Sequence, residues 1–222
     1  AYGGMGLGQD SVSNALALEA LAYGDLSLAM SVSVPLLVAQ IISEHGSEEQ
    51  KEELLPKLVK GSIFHVGFGI NNASLSTDPY QSSVTAEENG EEIILNGSKT
   101  GVAFANQANT FLISASNESG ECNLYFVNKD QEGVALIDKE FMGLKGVPLS
   151  QINLSNCKIN ASQKLGGHNY SMNYESLVDS ARVGMSALAL GVCQAVLDYV
   201  VPYTNERVAF DEPISNRQSV AF

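Results

Sequence analysis

SSVTAEENGEEIIL, residues 82–95, is the stretch that decides the fold class of this chain. Two short runs, Ser82–Ala86 and Glu92–Leu95, flank an Asn-Gly pair that readily takes the positive φ angles of a tight turn. The stretch therefore predicts a β-hairpin. Similar runs, with no helical pattern between them, occur at Phe64–Ile70, Thr110–Ser114, Asn123–Val127 and Gln151–Leu154. This spacing favours an antiparallel barrel or sandwich.

Helical periodicity lies on both sides of this β region. From Ser11 to Lys60 the apolar residues recur at helical spacing and predict two or three helices, the last of which begins at a capping box formed by Ser47 and Gln50. The helical pattern returns at residues 174–204, and we expect the chain to end inside a helical segment. The predicted fold class is α+β, with a helical domain at residues 1–61, a β domain at 62–165 and the start of a second helical domain at 166–222. Both ends look abrupt, so we expect a piece of a longer protein.

Charge and composition exclude several classes of partner. The 222 residues are 45% hydrophobic and 17% charged, and 12 basic against 25 acidic residues give a net charge of -13, which would repel nucleic acid and anionic membranes. We find no leader and no apolar run near 18 residues, and therefore expect no membrane segment. The spacing of the three cysteines and three histidines predicts neither disulfides nor a metal site. A cytoplasmic location is expected, with an organelle matrix as the other possibility.

Several short motifs occur in an order that matches one enzyme family along the whole chain. They are Tyr2-Gly3-Gly4-Met5-Gly6-Leu7, Gly46-Ser47-Glu48-Glu49-Gln50-Lys51, Asn96-Gly97-Ser98-Lys99, Gly143-Leu144-Lys145-Gly146, Gly191-Val192-Cys193-Gln194-Ala195 and Arg207-Val208-Ala209-Phe210. In these motifs the chain resembles the acyl-CoA dehydrogenases. The resemblance covers the later part of that family's first helical domain, its middle β domain and the opening of its last helical domain.

This resemblance implies a function as well as a fold. Members of the family hold FAD and remove hydrogen from the α and β carbons of an acyl-CoA thioester, with a Glu as the base and the flavin as hydride acceptor. It also implies a role in fatty acid metabolism, acyl-CoA as substrate, electron-transfer flavoprotein or a similar electron acceptor, and a homo- or hetero-oligomer such as a dimer or tetramer.

The positions that face the flavin in the family's β domain are altered in this chain. The resemblance assigns cofactor contacts to Ile70, Asn71 and Thr77, and Thr77 would also touch the substrate. Gly101 and Ala103 stand where the family has an aromatic ring and a hydroxyl, so a stacking surface and a hydrogen bond are lost. Phe104 could replace the ring, but strand alternation would send it to the face opposite Ala103.

A second set of positions is better preserved. By resemblance, Arg207 pairs with the FAD pyrophosphate, Phe210 packs on the cofactor, and Gln218 is a further FAD contact. Asp179 and Arg182 match a pair that lies beside the acyl-CoA, and their i, i+3 spacing places them on one helix face.

No catalytic base can be named from this chain. One of the two places where the family carries its Glu is occupied by Ala181, and the other lies beyond Phe222. Three functions stay open: an FAD-dependent acyl-CoA dehydrogenase, a non-catalytic partner subunit of the same fold, and a flavin-dependent monooxygenase that would not need the Glu.

Overall fold

The computed structural model describes residues 10–60, 65–74, 78, 80–168 and 170–222. The N-terminal glycine-rich motif and Thr77 lie outside these ranges. The described residues form two compact units, one of residues Met30–Arg182 and one that combines residues 10–29 with Val183–Phe222. The predicted division into three domains stays a prediction.

Three helices open the described chain, at the upper limit of the sequence prediction. They are α1 (Ser11–Gly24), α2 (Leu26–His45) and α3 (Glu48–Lys60). The predicted capping box at the start of α3 is confirmed, because Gln50 N donates to Ser47 Oγ at 3.3 Å and Ser47 N donates to Gln50 Oε1 at 3.1 Å. The Gln50 amide also bonds Ser162 O, Lys164 O and Gly166 N, so it joins α3 to the segment after the sheet.

One seven-stranded sheet dominates the larger unit. Its strands are β1 (Val66–Gly69), β2 (Thr85–Asn89), β3 (Glu92–Ala103), β4 (Thr110–Ser116), β5 (Cys122–Asn128), β6 (Val134–Lys139) and β7 (Leu149–Asn160). The order is β1-β4-β2-β3-β7-β6, and β5 pairs with β4. Most pairs are antiparallel, but β4 pairs in parallel with β1 and with β2. The predicted hairpin joins β2 to β3, with Gly90 at φ 64°.

The sheet has two packed faces. One face packs against helices around Val38, Ile42, Leu112 and Leu124, all at most 2% exposed. The other face buries a cluster that includes Phe111, Tyr125 and Ile152. A third, small cluster joins Ala103, Phe104 and Val147. The fold class is therefore α+β, as predicted.

A long helix and a small hairpin end the chain. Helix α4 spans Tyr174–Glu206, and a hairpin of β8 (Val208–Ala209) and β9 (Glu212–Pro213) follows it. The chain ends at the four-residue helix α5 (Gln218–Ala221), in line with the expectation of a helical segment there, but the hairpin separates α5 from α4. Pro213 lacks a backbone N–H, which suits this edge strand and not a helix interior.

Two of the helices are more apolar than the sequence reading indicated. By length and composition alone, α2 and α4 could cross a membrane. The sequence showed no long apolar run at these helices because single polar residues interrupt it, although the mean hydropathy of each helix stays high. A core helix of a water-soluble protein passes the same test, so this finding is weak. In the described structure 28% of the apolar window of α2 is buried, against 11% for α4.

Candidate functional site

The predicted flavin-facing residues of the larger unit gather where the segment after β1 meets the end of β3. Thr100 N donates to Asn71 O at 3.0 Å, which fixes the two segments side by side. The pairing of β3 with β7 shifts register between Lys99 and Val102, and Gly101 lies in this irregularity with φ 65°. A Cβ added at Gly101 would lie 3.6 Å from Asn71 Nδ2. We call Ile70, Asn71, Gly101 and Ala103 the strand site.

The backbone of the strand site is adapted to glycine. A φ of +65° is open to Gly but strained for an L-residue by about 1–2 kcal/mol. The aromatic residue that the family resemblance places at Gly101 therefore does not fit this backbone without a change of conformation.

Ala103 and Phe104 do not point to opposite faces. Ala103 is the last residue of β3, and Phe104 follows with φ 55°, so the alternation of a strand ends between them. Phe104 N donates to Pro148 O at 2.9 Å, and both side chains, each 7% exposed, lie in the same small apolar cluster. The expectation from alternation is wrong, and the ring of Phe104 is held in the core.

The other predicted residues of this segment have structural contacts. The side chain of Ile70 is half-buried and packs against the helix-facing core, while its carbonyl oxygen accepts from Lys99 Nζ at 3.2 Å. Asp78 Oδ1 accepts from Tyr80 N at 2.9 Å, which folds a turn before β2. The roles assigned to Ile70 and Asn71 toward a cofactor stay predictions, and Thr77 lies outside the described residues.

Tyr80 links this turn to the predicted substrate pair on α4. Its hydroxyl donates to Asp179 Oδ1 at 2.7 Å and accepts from Arg182 Nη1 at 3.0 Å. The Asp179 and Arg182 side chains are 3.9 Å apart, and the guanidinium lies 5.9 Å from the centroid of the Tyr80 ring. The hydrogen bond to Asp179 raises the pKa of Tyr80. We call these three residues the tyrosine cluster.

The smaller unit carries the second predicted set on its hairpin. Phe210 and Asp211 form the turn between β8 and β9 with φ 59° and 65°, and the Phe210 side chain is 85% exposed. Arg207, next to the end of α4, bonds the hydroxyl of Tyr203, and its guanidinium lies 5.5 Å from that ring centroid. Arg217 lies over Phe210 at 4.6 Å.

Two cations and exposed aromatic surface are therefore concentrated at this hairpin. Gln218, the third predicted residue, begins α5 directly after Arg217 and is exposed. Guanidinium groups pair with phosphates, and aromatic rings pack on heterocycles. We call Arg207, Phe210, Arg217 and Gln218 the hairpin tip.

Sequence reasoning missed three residues that this geometry brings forward. Tyr80 and Arg217 had no motif, and their partners in the fold were unknown before the structure. Lys99 was noted only as part of a motif, yet it is fully buried beside the strand site. Burial lowers the pKa of Lys99 to about 8, against a usual value of 10.5.

Two models of one protein family match the chain. The acyl-CoA dehydrogenase N-terminal domain matches residues 1–62, and the acyl-CoA dehydrogenase middle domain matches residues 67–157. The chain is also 31% identical over 213 residues to the short/branched chain specific acyl-CoA dehydrogenase of Rattus norvegicus mitochondria, a match that covers 92% of this chain and 49% of the relative.

Solved structures agree with this match. A glutaryl-CoA dehydrogenase from Mycobacterium smegmatis in complex with FADH2 is 28% identical with a TM-score of 0.81, over 100% of this chain and 57% of that one. Butyryl-CoA dehydrogenase from Megasphaera elsdenii is 29% identical with a TM-score of 0.79, over 100% and 60%. This chain thus spans about half to three fifths of the length of these three relatives.

Proposed function

We propose that this protein, whose chain belongs to the acyl-CoA dehydrogenase family, catalyses the FAD-dependent α,β-dehydrogenation of an acyl-CoA thioester. Family membership gives the coarse function, an oxidoreductase acting on a CH–CH bond if the protein is active. The finer assignment, with FAD as cofactor and acyl-CoA as substrate, is our proposal for the whole protein. The chain itself spans about half to three fifths of the length of the relatives that it matches.

The observation that carries the proposal is the hairpin tip. Arg207 and Arg217 supply two cations in a chain whose net charge is -13, and each guanidinium lies over an aromatic ring. This combination suits a ligand that has both phosphates and a heterocycle. FAD is such a ligand, so the residues at the tip fit its diphosphate part.

Toward the substrate, the tyrosine cluster offers one hydroxyl and one cation on a common surface. Arg182 can donate to a thioester carbonyl or a CoA phosphate, and the Tyr80 hydroxyl, which donates to Asp179 and accepts from Arg182, holds the guanidinium in place. When bound, FAD supplies the hydride acceptor. Proton removal needs a base that we place in the part of the protein beyond this chain, because Ala181 occupies the alternative position.

A non-catalytic partner subunit is the second candidate, and the strand site favours it. Gly101 and Ala103 offer neither a ring nor a hydroxyl to an isoalloxazine, whereas the hairpin tip stays equipped with charge and aromatic surface. A subunit that lends its tip to a cofactor held mainly by another chain would have this asymmetry.

The visible absorption spectrum of the full-length protein separates these two candidates from each other and from the flavin-dependent monooxygenase. The protein is purified alone and after incubation with excess FAD, with the unbound flavin removed. Retained flavin that bleaches anaerobically with a panel of acyl-CoA esters supports the dehydrogenase. Retained flavin that ignores the esters but reacts with oxygen after reduction points to the monooxygenase. No retained flavin would contradict the leading proposal and direct the search to a partner subunit.

The same proposal covers partners and setting. We propose electron-transfer flavoprotein or a similar protein as electron acceptor, and a homo- or hetero-oligomer in which the tip serves a neighbouring subunit. A cytoplasmic or organelle-matrix location stays a prediction.

A further inference from the structure

Lys99 is the most deeply buried cation among the described residues. It lies on β3 with 0% of its surface exposed. Its Nζ donates three hydrogen bonds, to Asn72 Oδ1 at 2.8 Å, to Ser82 Oγ at 2.8 Å and to Ile70 O at 3.2 Å. No carboxylate of the described residues lies within 4 Å of it. A buried lysine usually has an acidic partner, so this arrangement needs another explanation.

The three acceptors all belong to the segment that joins β1 to β2. Ile70 and Asn72 are the two neighbours of Asn71, so one ammonium group holds the backbone carbonyl before that residue and the side-chain amide after it. The neighbouring contact from Thr100 N to Asn71 O, at 3.0 Å, adds a second attachment from the residue next to Lys99. Asn71 itself is exposed.

The acceptors are themselves fixed by further bonds. Asn72 Oδ1 also accepts from Ser83 N at 2.8 Å, and Asn72 Nδ2 donates to Gln81 O at 2.9 Å. Ser82 Oγ donates to Ser114 O on β4 at 2.8 Å. Lys99 therefore connects the segment to the sheet through β3 and β4 together.

We propose that Lys99 is a positioning residue, which uses its buried ammonium to hold residues 70–72 so that the Asn71 amide is presented at the strand site. Within the strand site, hydrogen bonding from a side chain to a ligand then depends on Asn71, because Ile70, Gly101 and Ala103 carry no polar side-chain group. The proposal deepens the proposed FAD site and rests on it, but the positioning itself is a property of the protein without cofactor.

A matched control exists in the same unit. Lys164 is also buried, at 6% exposed, but its Nζ pairs with Glu88 at 3.3 Å and does not contact the segment between β1 and β2. Lys99→Met and Lys164→Met each remove one buried ammonium with little change of side-chain volume. Both variants should lose stability, whereas only the first should affect the strand site.

The experiment uses the full-length protein with two measurements. The first is amide hydrogen exchange of Thr100 and Ser83 without cofactor, since their N–H groups bond Asn71 O and Asn72 Oδ1. We expect exchange at both amides at least about tenfold faster in Lys99→Met, and unchanged in Lys164→Met after correction for global unfolding. The second is the Kd for FAD by flavin fluorescence, expected to rise about tenfold in Lys99→Met and less than twofold in Lys164→Met.

Each result has one meaning. Equal changes in both variants, or none at the two amides, would overturn the positioning role. If the wild-type protein binds no FAD, the proposed function fails, and the amide exchange still decides the role of Lys99. If Lys99→Met does not fold, Asn72→Ala removes one acceptor of the Lys99 ammonium and leaves the bond from Thr100 N to Asn71 O intact. Exchange at Thr100 should then be faster than in the wild type by less than about tenfold, and unchanged exchange at Thr100 would also overturn the role; Ser83 is not read in this variant, because it loses its own acceptor.

Discussion

The strand site and the hairpin tip differ in the groups that they offer to the proposed cofactor. At the strand site, residues 101 and 103 are glycine and alanine where the family resemblance predicts a ring and a hydroxyl, and the nearest ring, Phe104, is buried in a local cluster. At the hairpin tip, two arginines and Phe210 remain exposed to a ligand. The comparison teaches that the fold of this chain tolerates small residues at the strand site, where they pack in the core, while the exposed residues of the hairpin tip contribute little to packing.

The largest expected effect concerns the charge beneath the strand site. The pKa of Lys99 is lowered to about 8 from 10.5, so between these values the unfolded chain binds a proton that the folded protein does not. Stability from this group therefore rises with pH over that window, by about 3 kcal/mol in all. We expect the unfolding free energy of wild type minus that of Lys99→Met to increase by this amount from pH 8 to 10.5, measured by urea unfolding.

The difference between the two proteins is needed because other groups titrate nearby. Burial raises the pKa values of Tyr125, Tyr174 and Cys157, which lowers stability at alkaline pH in both proteins alike. Burial also raises the pKa of Cys122, but the charge of Lys99 lowers it, so the contribution of Cys122 does not cancel and forms part of the measured difference. A pH-independent difference would mean that the pKa of Lys99 is not lowered in the folded protein, so that the three hydrogen bonds of the ammonium offset the cost of burying its charge.

The second prediction tests the hairpin tip. Arg207→Ala removes a guanidinium that can make charge-assisted bonds to a phosphate, and we expect the Kd for FAD to rise about 30-fold in the full-length protein. The urea midpoint should not change, because Arg207 is exposed. Lys158→Ala changes the net charge equally at an exposed pair with Glu92 and should leave the Kd unchanged. An equal loss in both variants would indicate a general charge effect.

Whether a feature could be predicted depends on how far apart along the sequence its contacting residues lie. The hairpin at Gly90 and the cap at Ser47 were predictable because each depends on residues within three positions. Strand β6 was missed because it is mostly exposed and ends in Asp138 and Lys139, which hide the apolar pattern.

The candidate site was less predictable because it depends on distant contacts. The bond from Tyr80 to Asp179 joins residues 99 positions apart, so no local pattern marks it. The burial of Lys99 likewise arises only when the segment between β1 and β2 closes over β3. The motif positions gave candidate residues, and the fold alone gave their partners.

The third prediction sharpens the comparison by restoring one group. Ala103→Thr returns a hydroxyl to a buried position, which should cost about 1–2 kcal/mol of stability without cofactor. We expect the Kd for FAD to fall about fivefold, because the flavin would then have a partner for a polar atom. Gly101→Trp, in contrast, should bring no gain, since φ 65° strains any side chain there. Tighter binding of FAD by Gly101→Trp would contradict the conclusion that the backbone at residue 101 suits only glycine.

The smallest expected effect concerns the tyrosine cluster. Tyr80→Phe removes the hydroxyl shared by Asp179 and Arg182 but keeps the ring. Because the pair is exposed, we expect only about a threefold rise in the KM for the best acyl-CoA ester, with the Kd for FAD unchanged. Steady-state kinetics with a flavin titration measure both. A change in the Kd for FAD alone would assign the cluster to the cofactor.

The central claim is that the hairpin tip holds FAD despite the altered strand site, and flavin content tests it most directly. Full-length wild type and Arg207→Ala are each incubated with excess FAD and passed through gel filtration, and bound flavin is read from the absorption spectrum. We predict flavin close to one per chain in the wild type and little in the variant. Equal retention in the two proteins, or no flavin in the wild type, would contradict the account.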